Sequence, residues 1–271
     1  MGLEKRRPFL PAALGFLGLA GAVGAGWLGE GATPKGVGTR SLPSFPSHHD
    51  GKLLTLQHPG GPKEFYFTRA AYTGYRFRSY RSWEVDFPKA DRQFLIGLRR
   101  LTNLDVYELE NPIRLTDPDL GRFPFLYAVE VGYMALTEPE AAGLRRYLLA
   151  GGFLMIDDFW GSFEWENFEL EFQSVLPGHP IVEIPLDHLL FTCFYNVEEI
   201  LQVPNVGQGI NGGPTWERDG YTPHVRGIFD EQGRLMVVIN WNTDLGDAWE
   251  WAENPFYPLR FSTYAYQMGV N

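Results

Sequence analysis

GGFLMIDDFWG, residues 151–161, is the stretch of sequence that decides the fold of this chain. The consecutive apolar residues after the glycine pair indicate a strand that is covered on both faces, as the strands of parallel sheets are. Two carboxylates, Asp157 and Asp158, follow immediately, and Trp160 comes next. The pattern therefore predicts a buried strand that ends at the aspartates, at one edge of a sheet.

Three further apolar runs are similar to this one. They are EFYFTRAAY from Glu64, FPFLYAVEVGY from Phe123 and RLMVVINWN from Arg234. Segments with helical periodicity separate the runs, namely KADRQFLIGLRRLTN from Lys89, TEPEAAGLRRYLLAGG from Thr137 and WENFELEFQSVLPG from Trp165. Strands that alternate with helices imply crossover connections and a mostly parallel sheet.

Other segments complete the predicted fold. LDVYEL, residues 104–109, is predicted to be an additional strand, and STYAYQMGV, residues 262–270, a final helix. VRGIFDEQGRLMVVI, residues 225–239, has the pattern of a hairpin with its turn at residues 230–233, which gives the sheet an antiparallel edge. We therefore predict an α/β fold, a three-layer Rossmann- or flavodoxin-like domain with a mostly parallel sheet and an antiparallel edge hairpin.

The start of the chain predicts export. A basic segment precedes roughly twenty apolar, glycine-rich residues, and Arg6-Arg7 before Pro8-Phe9-Leu10 is similar to a twin-arginine signal. We assign residues 1–30 to an export signal, residues 31–62 to a flexible linker and residues 63–271 to a single α/β domain. The expected location is the periplasm or cell envelope, with the signal either removed or retained as a membrane tether.

Composition and charge exclude some classes of function. Hydrophobic residues make up 44% of the chain and aromatic residues 15%, which supports a large packed core. The formal net charge of -10 argues against a nucleic-acid partner, because phosphate binding requires a basic surface. Cys193 is the single cysteine, so neither an intramolecular disulfide nor a cysteine-rich metal site can form.

Polar and aromatic residues follow each of the four apolar runs. In open α/β sheets, ligands bind outside the carboxyl ends of the strands, so we predict a ligand crevice there. Its candidate residues are Arg69, Tyr72, Arg76, Glu130, Asp157, Asp158, Trp160, Asn240, Trp241, Asp244 and Asp247. Since successive side chains of a strand alternate, one aspartate of the 157–158 pair is expected to face the crevice. The other is expected to cap the following helix or to pair with an arginine.

The aspartates are open to more than one interpretation. A divalent metal site, an acid/base pair and a loop whose aspartates form turns and caps all fit four carboxylates. Because no spacing matches a known ligand pattern, we predict neither a metal nor a cofactor. Arg69 and Arg76 either bind an anionic or sugar-like ligand or pair with the protein's own aspartates.

The chain from about Glu64 onward resembles a bacterial family, domain of unknown function 4159. FYFTRAAYTGYRF, GGFLMIDDFWG, INWNTDLGDAWEWA and the closing YAYQMGVN carry the resemblance. It implies a Rossmann- or flavodoxin-like three-layer fold, distantly similar to class I glutamine amidotransferase-like and trehalose-utilisation-type domains. Those amidotransferases use a cysteine on a nucleophile elbow, which is missing around Cys193, so the resemblance transfers no activity.

These observations lead to two hypotheses about function. The first is an exported cell-envelope domain that binds a small molecule or another envelope component in the crevice. The second is a hydrolase that acts on a carbohydrate or another envelope substrate through Asp157 or Asp158 together with Asp244 or Asp247. The sequence leaves open whether the protein is an enzyme.

Overall fold

Each of the four apolar runs contains a strand of one sheet. The structure, a computed structural model, describes residues 62–75 and 83–271. The strands are β1 (Thr68–Ala71), β2 (Asn111–Arg114), β3 (Phe125–Val129), β4 (Phe153–Asp157), β5 (Ile181–Glu183), β6 (His224–Phe229) and β7 (Leu235–Trp241). The helices are α1 (Lys89–Leu101), α2 (Glu138–Leu149), α3 (Gly161–Val175), α4 (Val206–Asn211), α5 (Leu245–Glu250) and α6 (Leu259–Val270).

The sheet has the strand order β2-β1-β3-β4-β7-β6-β5. Neighbours from β2 to β7 are parallel, whereas β6 is antiparallel to both β7 and β5. The β6–β7 hairpin turns at residues 230–233, where Gly233 takes a positive φ of 80°. The predicted α/β class, the mostly parallel sheet and the antiparallel edge hairpin are therefore confirmed.

Helices cover both faces of the sheet and form two hydrophobic cores. On one face, Phe94 and Leu98 of α1 pack with Tyr127 of β3, Trp249 of α5 and Tyr264 of α6. On the other face, residues of α2 and α3 pack against alternate residues of the same strands. Strands buried on both faces require apolar residues at consecutive positions, which explains the uninterrupted runs in the sequence.

The start of α2 is determined by local sequence. The side chain of Thr137 accepts a hydrogen bond from the backbone N–H of Glu140, and the Glu140 side chain accepts one from the backbone N–H of Thr137. This capping box satisfies two of the N–H groups that a helix leaves unpaired at its first turn. The predicted N-cap at Thr137 is confirmed.

The start of α3 depends on residues far away in the chain. This helix begins at Gly161, before the predicted segment at Trp165. Its first N–H groups donate to the side chains of Asn242, at 2.8 Å, and Asp219, at 3.0 Å. A local bond from the backbone N–H of Trp160 to Glu164 adds to these two tertiary contacts, which the sequence around residues 157–161 does not reveal.

The strand predicted at residues 104–109 is wrong. That segment forms an isolated bridge between Val106 and Phe65, and the strand β2 lies later, at Asn111–Arg114. The sequence pattern does not predict β2 because the segment contains Pro112, and proline cannot donate a backbone hydrogen bond to a neighbouring strand. β2 is the outermost strand of the sheet, and an edge strand tolerates proline.

None of the helices within residues 62–75 and 83–271 is both long enough and apolar enough to cross a membrane. The segments assigned to the export signal and to nearly all of the linker lie outside these described residues.

Candidate functional site

Three neighbouring parallel strands end in the same unusual way. The first residue after β3, β4 and β7 has left-handed backbone, with φ of 54° at Glu130, 50° at Asp158 and 60° at Asn242. Asp and Asn adopt this conformation more readily than most side chains do. The backbone N–H of Glu130 donates to the Asp158 carbonyl at 3.0 Å, and the N–H of Asp158 donates to the Thr243 carbonyl at 3.2 Å. The three strand exits are therefore joined to one another at the carboxyl edge of the sheet.

Five carboxylates from three segments of the chain meet at this edge, and we call them the carboxylate cluster. One oxygen each of Asp86, Asp158 and Asp244 lie within 4.8 Å of one another. One oxygen each of Asp86, Asp247 and Glu250 lie equally close together. Asp86 is common to both groups, and it comes from the segment between β1 and α1.

Backbone and side-chain donors orient most of the cluster. Asp158 accepts a hydrogen bond from the indole Nε1 of Trp160 at 2.9 Å. Asp244 is the N-cap of α5 and accepts from the backbone N–H of Asp247 at 2.7 Å. The carboxylate of Asp247 in turn accepts from the backbone N–H of Val206 at 2.6 Å. These bonds leave further oxygen lone pairs available at each carboxylate.

Arg69 positions the segment that carries Asp86. The guanidinium of Arg69 is fully buried, forms an ion pair with Asp91 of α1 and donates to the carbonyls of Trp83 and Val85 at 3.2 and 2.9 Å. Burial alone would lower the pKa of Arg69, but the charge and the hydrogen bonds of Asp91, together with the charges of Tyr127 and Asp86, outweigh it and the pKa is raised. Arg69 therefore stays charged and holds the chain immediately before Asp86.

Asp157 has a structural role next to the cluster. Its Oδ2 accepts hydrogen bonds from the hydroxyl of Tyr127 at 2.9 Å and from the backbone N–H groups of Leu245 and Gly246 at 2.8 and 2.9 Å. One aspartate of the pair does cap a helix, but the helix is α5 and not the following helix α3. Asp157 thus fixes the first turn of α5 against the end of β4.

Burial makes the negative form of these carboxylates unfavourable. It is the largest cause of the raised pKa of Asp86, Asp158 and Asp244, and neighbouring carboxylates raise each value further. Burial likewise raises the pKa of Asp247 and Glu250, and it raises the pKa of Asp157 to about 7. The cluster therefore favours any cation, whether protons or a metal ion, that reduces its charge.

Two carboxylate oxygens at the site lack hydrogen bonds. Oδ2 of Asp86 and Oδ1 of Asp157 are shielded from solvent and have no hydrogen-bond partner. Among the described residues, Arg69 lowers the pKa of Asp86 and Lys89 lowers that of Glu250 by charge alone. Arg69 pairs with Asp91 and Lys89 with Glu253, so neither basic group forms an ion pair within the cluster.

The other predicted site residues lie apart from the cluster or support it. Buried Tyr72 donates its hydroxyl to the Val129 carbonyl at 2.6 Å, and buried Glu130 acts on Asp158 through its charge. Trp241 is half-buried on the α3 side of the sheet, with its ring 4.6 Å from that of Trp165.

The remaining predicted positions are Arg69, Asn240 and Arg76. Arg69 is enclosed by the protein and pairs with Asp91, which is the second of the two alternatives that the sequence left open for it. Asn240 is buried and lines an apolar pocket between α6 and the sheet, away from the cluster. Arg76 lies outside the described residues.

Sequence reasoning missed Asp86 and Glu250. Asp86 lies in the same connection as the arginine-rich segment after β1, and it precedes Phe87-Pro88 at the start of α1. A carboxylate between a strand end and a helix start is a local signal that could have found it. Glu250 ends α5, three residues after Asp247, so it occupies the same side of that helix.

The fold and the site together define an α/β domain with a doubly wound sheet and an acidic centre at the carboxyl ends of its strands. Residues 67–271 match the family described as "Domain of unknown function (DUF4159)", and the chain belongs to that family. The predicted family resemblance is confirmed. A comparison with curated proteins found no match.

Proposed function

We propose that this chain is an exported ligand-binding domain and that its carboxylate cluster binds a divalent cation. One observation carries the proposal: oxygens of Asp86, Asp158 and Asp244 lie within 4.8 Å of one another without an ion pair to any described basic residue. Export is supported by the basic and apolar pattern of residues 1–30.

The spacing of the oxygens suits a metal ion. Divalent cations hold oxygen ligands at about 2.0 to 2.6 Å, so two ligands of one ion lie at most about 4 to 5 Å apart. The separations in the Asp86–Asp158–Asp244 group meet this limit. A ligand set made only of carboxylates favours hard cations such as Mg²⁺, Ca²⁺ and Mn²⁺ over metals that prefer sulfur or imidazole.

Electrostatics support the same ligand class. Like charges at this distance, in a buried environment, raise the free energy of the folded protein when all carboxylates are ionised. A divalent cation bound by Asp86 offsets this repulsion, and Asp86 is the member of the cluster whose Oδ2 lacks a hydrogen bond. An anionic ligand would add to the repulsion, so the cluster by itself does not bind one.

The hydrolase hypothesis receives less support from the geometry. Glycosidases separate their two carboxyl groups by about 5 to 9.5 Å, so that a sugar and, in inverting enzymes, a water fit between them. In the cluster the oxygens converge in groups of three carboxylates, within 4.8 Å of one another, and not as a single pair. Binding of a cation by several carboxylates explains the arrangement more directly.

Thermal unfolding of the full chain with Mg²⁺, Ca²⁺ or Mn²⁺ tests the proposal. At a concentration about 100 times its Kd, a bound ion stabilises the folded state by about 2.7 kcal/mol, which raises Tm by several degrees. Asp158→Asn should lose most of that rise. Asparagine adopts left-handed backbone readily, and its side-chain oxygen can still accept the hydrogen bond from Trp160. The variant therefore removes the charge with little change in the fold.

Asp187→Asn is the matched control, because Asp187 is exposed and outside the cluster. It should show the same rise in Tm as the unmodified chain. If no divalent cation raises Tm, or if Asp158→Asn responds as strongly as the control, the proposed metal-binding function is wrong.

A further inference from the structure

We infer that the carboxylate cluster binds two divalent cations and that Asp86 bridges them. This inference rests on the proposed function and extends it from one ion to a two-metal centre. The first ion is coordinated by Asp86, Asp158 and Asp244, and the second by Asp86, Asp247 and Glu250.

The geometry of the cluster supports two ions. Two separate groups of oxygens each meet the distance limit for one ion, and they share one residue. A carboxylate has two oxygens and can bind a different ion with each. Two-metal centres in proteins hold their ions about 3.5 to 4 Å apart, a spacing that a bridging carboxylate can span.

Asp86 has a side-chain oxygen without a hydrogen bond, which supports its role as the bridging ligand. Its Oδ2 is shielded from solvent and has no hydrogen-bond partner, although buried carboxylate oxygens normally have one. A Cβ on Gly246 would lie 2.5 Å from this oxygen and 3.0 Å from the hydroxyl oxygen of Tyr127. The oxygen is therefore packed closely against the first turn of α5, the helix that Asp244 caps and that carries Asp247.

The negative charge of the cluster also favours two ions over one. The two groups together contain five carboxylates, and two divalent cations carry four positive charges. One divalent cation leaves the Asp247–Glu250 half of the cluster with two further carboxylates in close contact. The charge of Lys89 lowers the pKa of Glu250, but the ion pair of Lys89 is with Glu253, at 3.9 Å from Nζ to Oε1. Lys89 therefore does not take the place of a second ion.

Titration of the full chain with MnCl₂ tests the inference, with binding followed by calorimetry and by electron paramagnetic resonance. The expected stoichiometry is two ions per chain. Two Mn²⁺ ions about 3.5 to 4 Å apart couple magnetically, so the spectrum at saturation should differ from that of an isolated Mn²⁺ ion.

Glu250→Gln distinguishes the two proposed ion sites. This variant should bind one Mn²⁺ with the spectrum of an isolated ion, because only the second group loses a ligand. Glu253→Gln is the matched control, since Glu253 lies three residues along the chain and belongs to neither group. It should keep both ions and the coupled spectrum. Asp86→Asn should weaken the binding of both ions by at least about 10-fold, because the amide has one oxygen and no charge and cannot bridge two ions.

The outcomes distinguish this inference from the proposed function. Saturation at one ion per chain, with Glu250→Gln unchanged in stoichiometry, overturns the two-metal centre and leaves the single cation site intact. Two ions without magnetic coupling overturn the bridging role of Asp86. Absence of any Mn²⁺ binding overturns both the inference and the function on which it rests.

Discussion

Asp157 and Asp158 are neighbours in the chain, but their side chains have different environments. Asp157 ends β4 in extended backbone, and its Oδ2 accepts the first N–H groups of α5. Asp158 takes left-handed backbone, which turns its side chain toward the indole of Trp160 and the oxygens of Asp86 and Asp244. The change of backbone conformation between the two residues, and not their chemistry, separates the structural carboxylate from the candidate ligand.

Asp157 makes the stability of the metal-free protein depend on pH. Its pKa in the folded state is about 7, above the unfolded value of about 3.9. Because the folded pKa is raised, the stabilisation is complete below about pH 4 and is lost as the pH rises toward 7. Asp157→Asn removes this loss and keeps an oxygen to accept from Leu245 and Gly246.

Urea unfolding in the presence of a chelator, between about pH 5 and about pH 8, measures the effect. The unmodified chain should lose more free energy of unfolding across this range than Asp157→Asn does. Asp187→Asn should follow the unmodified chain. Parallel curves for all three proteins would show that Asp157 does not titrate in this range.

At the scale of the element, α5 organises the site although it has only six residues. Asp244 caps it, Asp247 and Glu250 project from it, and its first N–H groups bind Asp157. The short sequence NTDLGDAWEW gives no clear helical periodicity, so no helix is predicted there. Helices this short are not stable alone, and contacts with α1 and α6 hold this one in place.

Gly246→Ala tests how closely α5 must approach Asp86. The added methyl group would lie 2.5 Å from Oδ2 of Asp86, so the carboxylate has to move. We expect Mn²⁺ affinity to fall by about 10-fold or more, the effect of disturbing the orientation of a metal ligand. Gly121→Ala is the control, because a methyl group there meets nothing within 4 Å. Equal affinity of the two variants for Mn²⁺ would contradict the assigned position of Asp86.

At the scale of the whole molecule, the parallel sheet gathers distant segments at one edge. β3, β4 and β7 are adjacent and end together, although β7 follows β4 by more than seventy residues. The buried Arg69–Asp91 pair joins β1 to α1 and so fixes the connection that carries Asp86. Parallel packing of strands thus converts separate local patterns into a single acidic centre.

The location of the whole chain can be tested at its start. Because a twin-arginine signal is read by a receptor, Arg6→Lys together with Arg7→Lys should retain the protein inside the cell. The measurement is the fraction of folded protein in the exported compartment compared with the unmodified chain. Lys35→Arg, in the segment assigned to the linker, is the control and should not change export. Undiminished export of the double variant would contradict the proposed signal.

The sequence by itself determined the α/β class, four of the strands, the hairpin edge and the presence of carboxylates at the strand ends. These properties follow from hydrophobic periodicity and turn residues, which are local. The tertiary structure alone decided that Asp86 and Glu250 join Asp158, Asp244 and Asp247, that Arg69 binds Asp91, and that Asp157 caps α5. The distance between two oxygens depends on how remote segments pack and on backbone conformations such as that of Asp158, and neither is encoded in the spacing of residues along the chain.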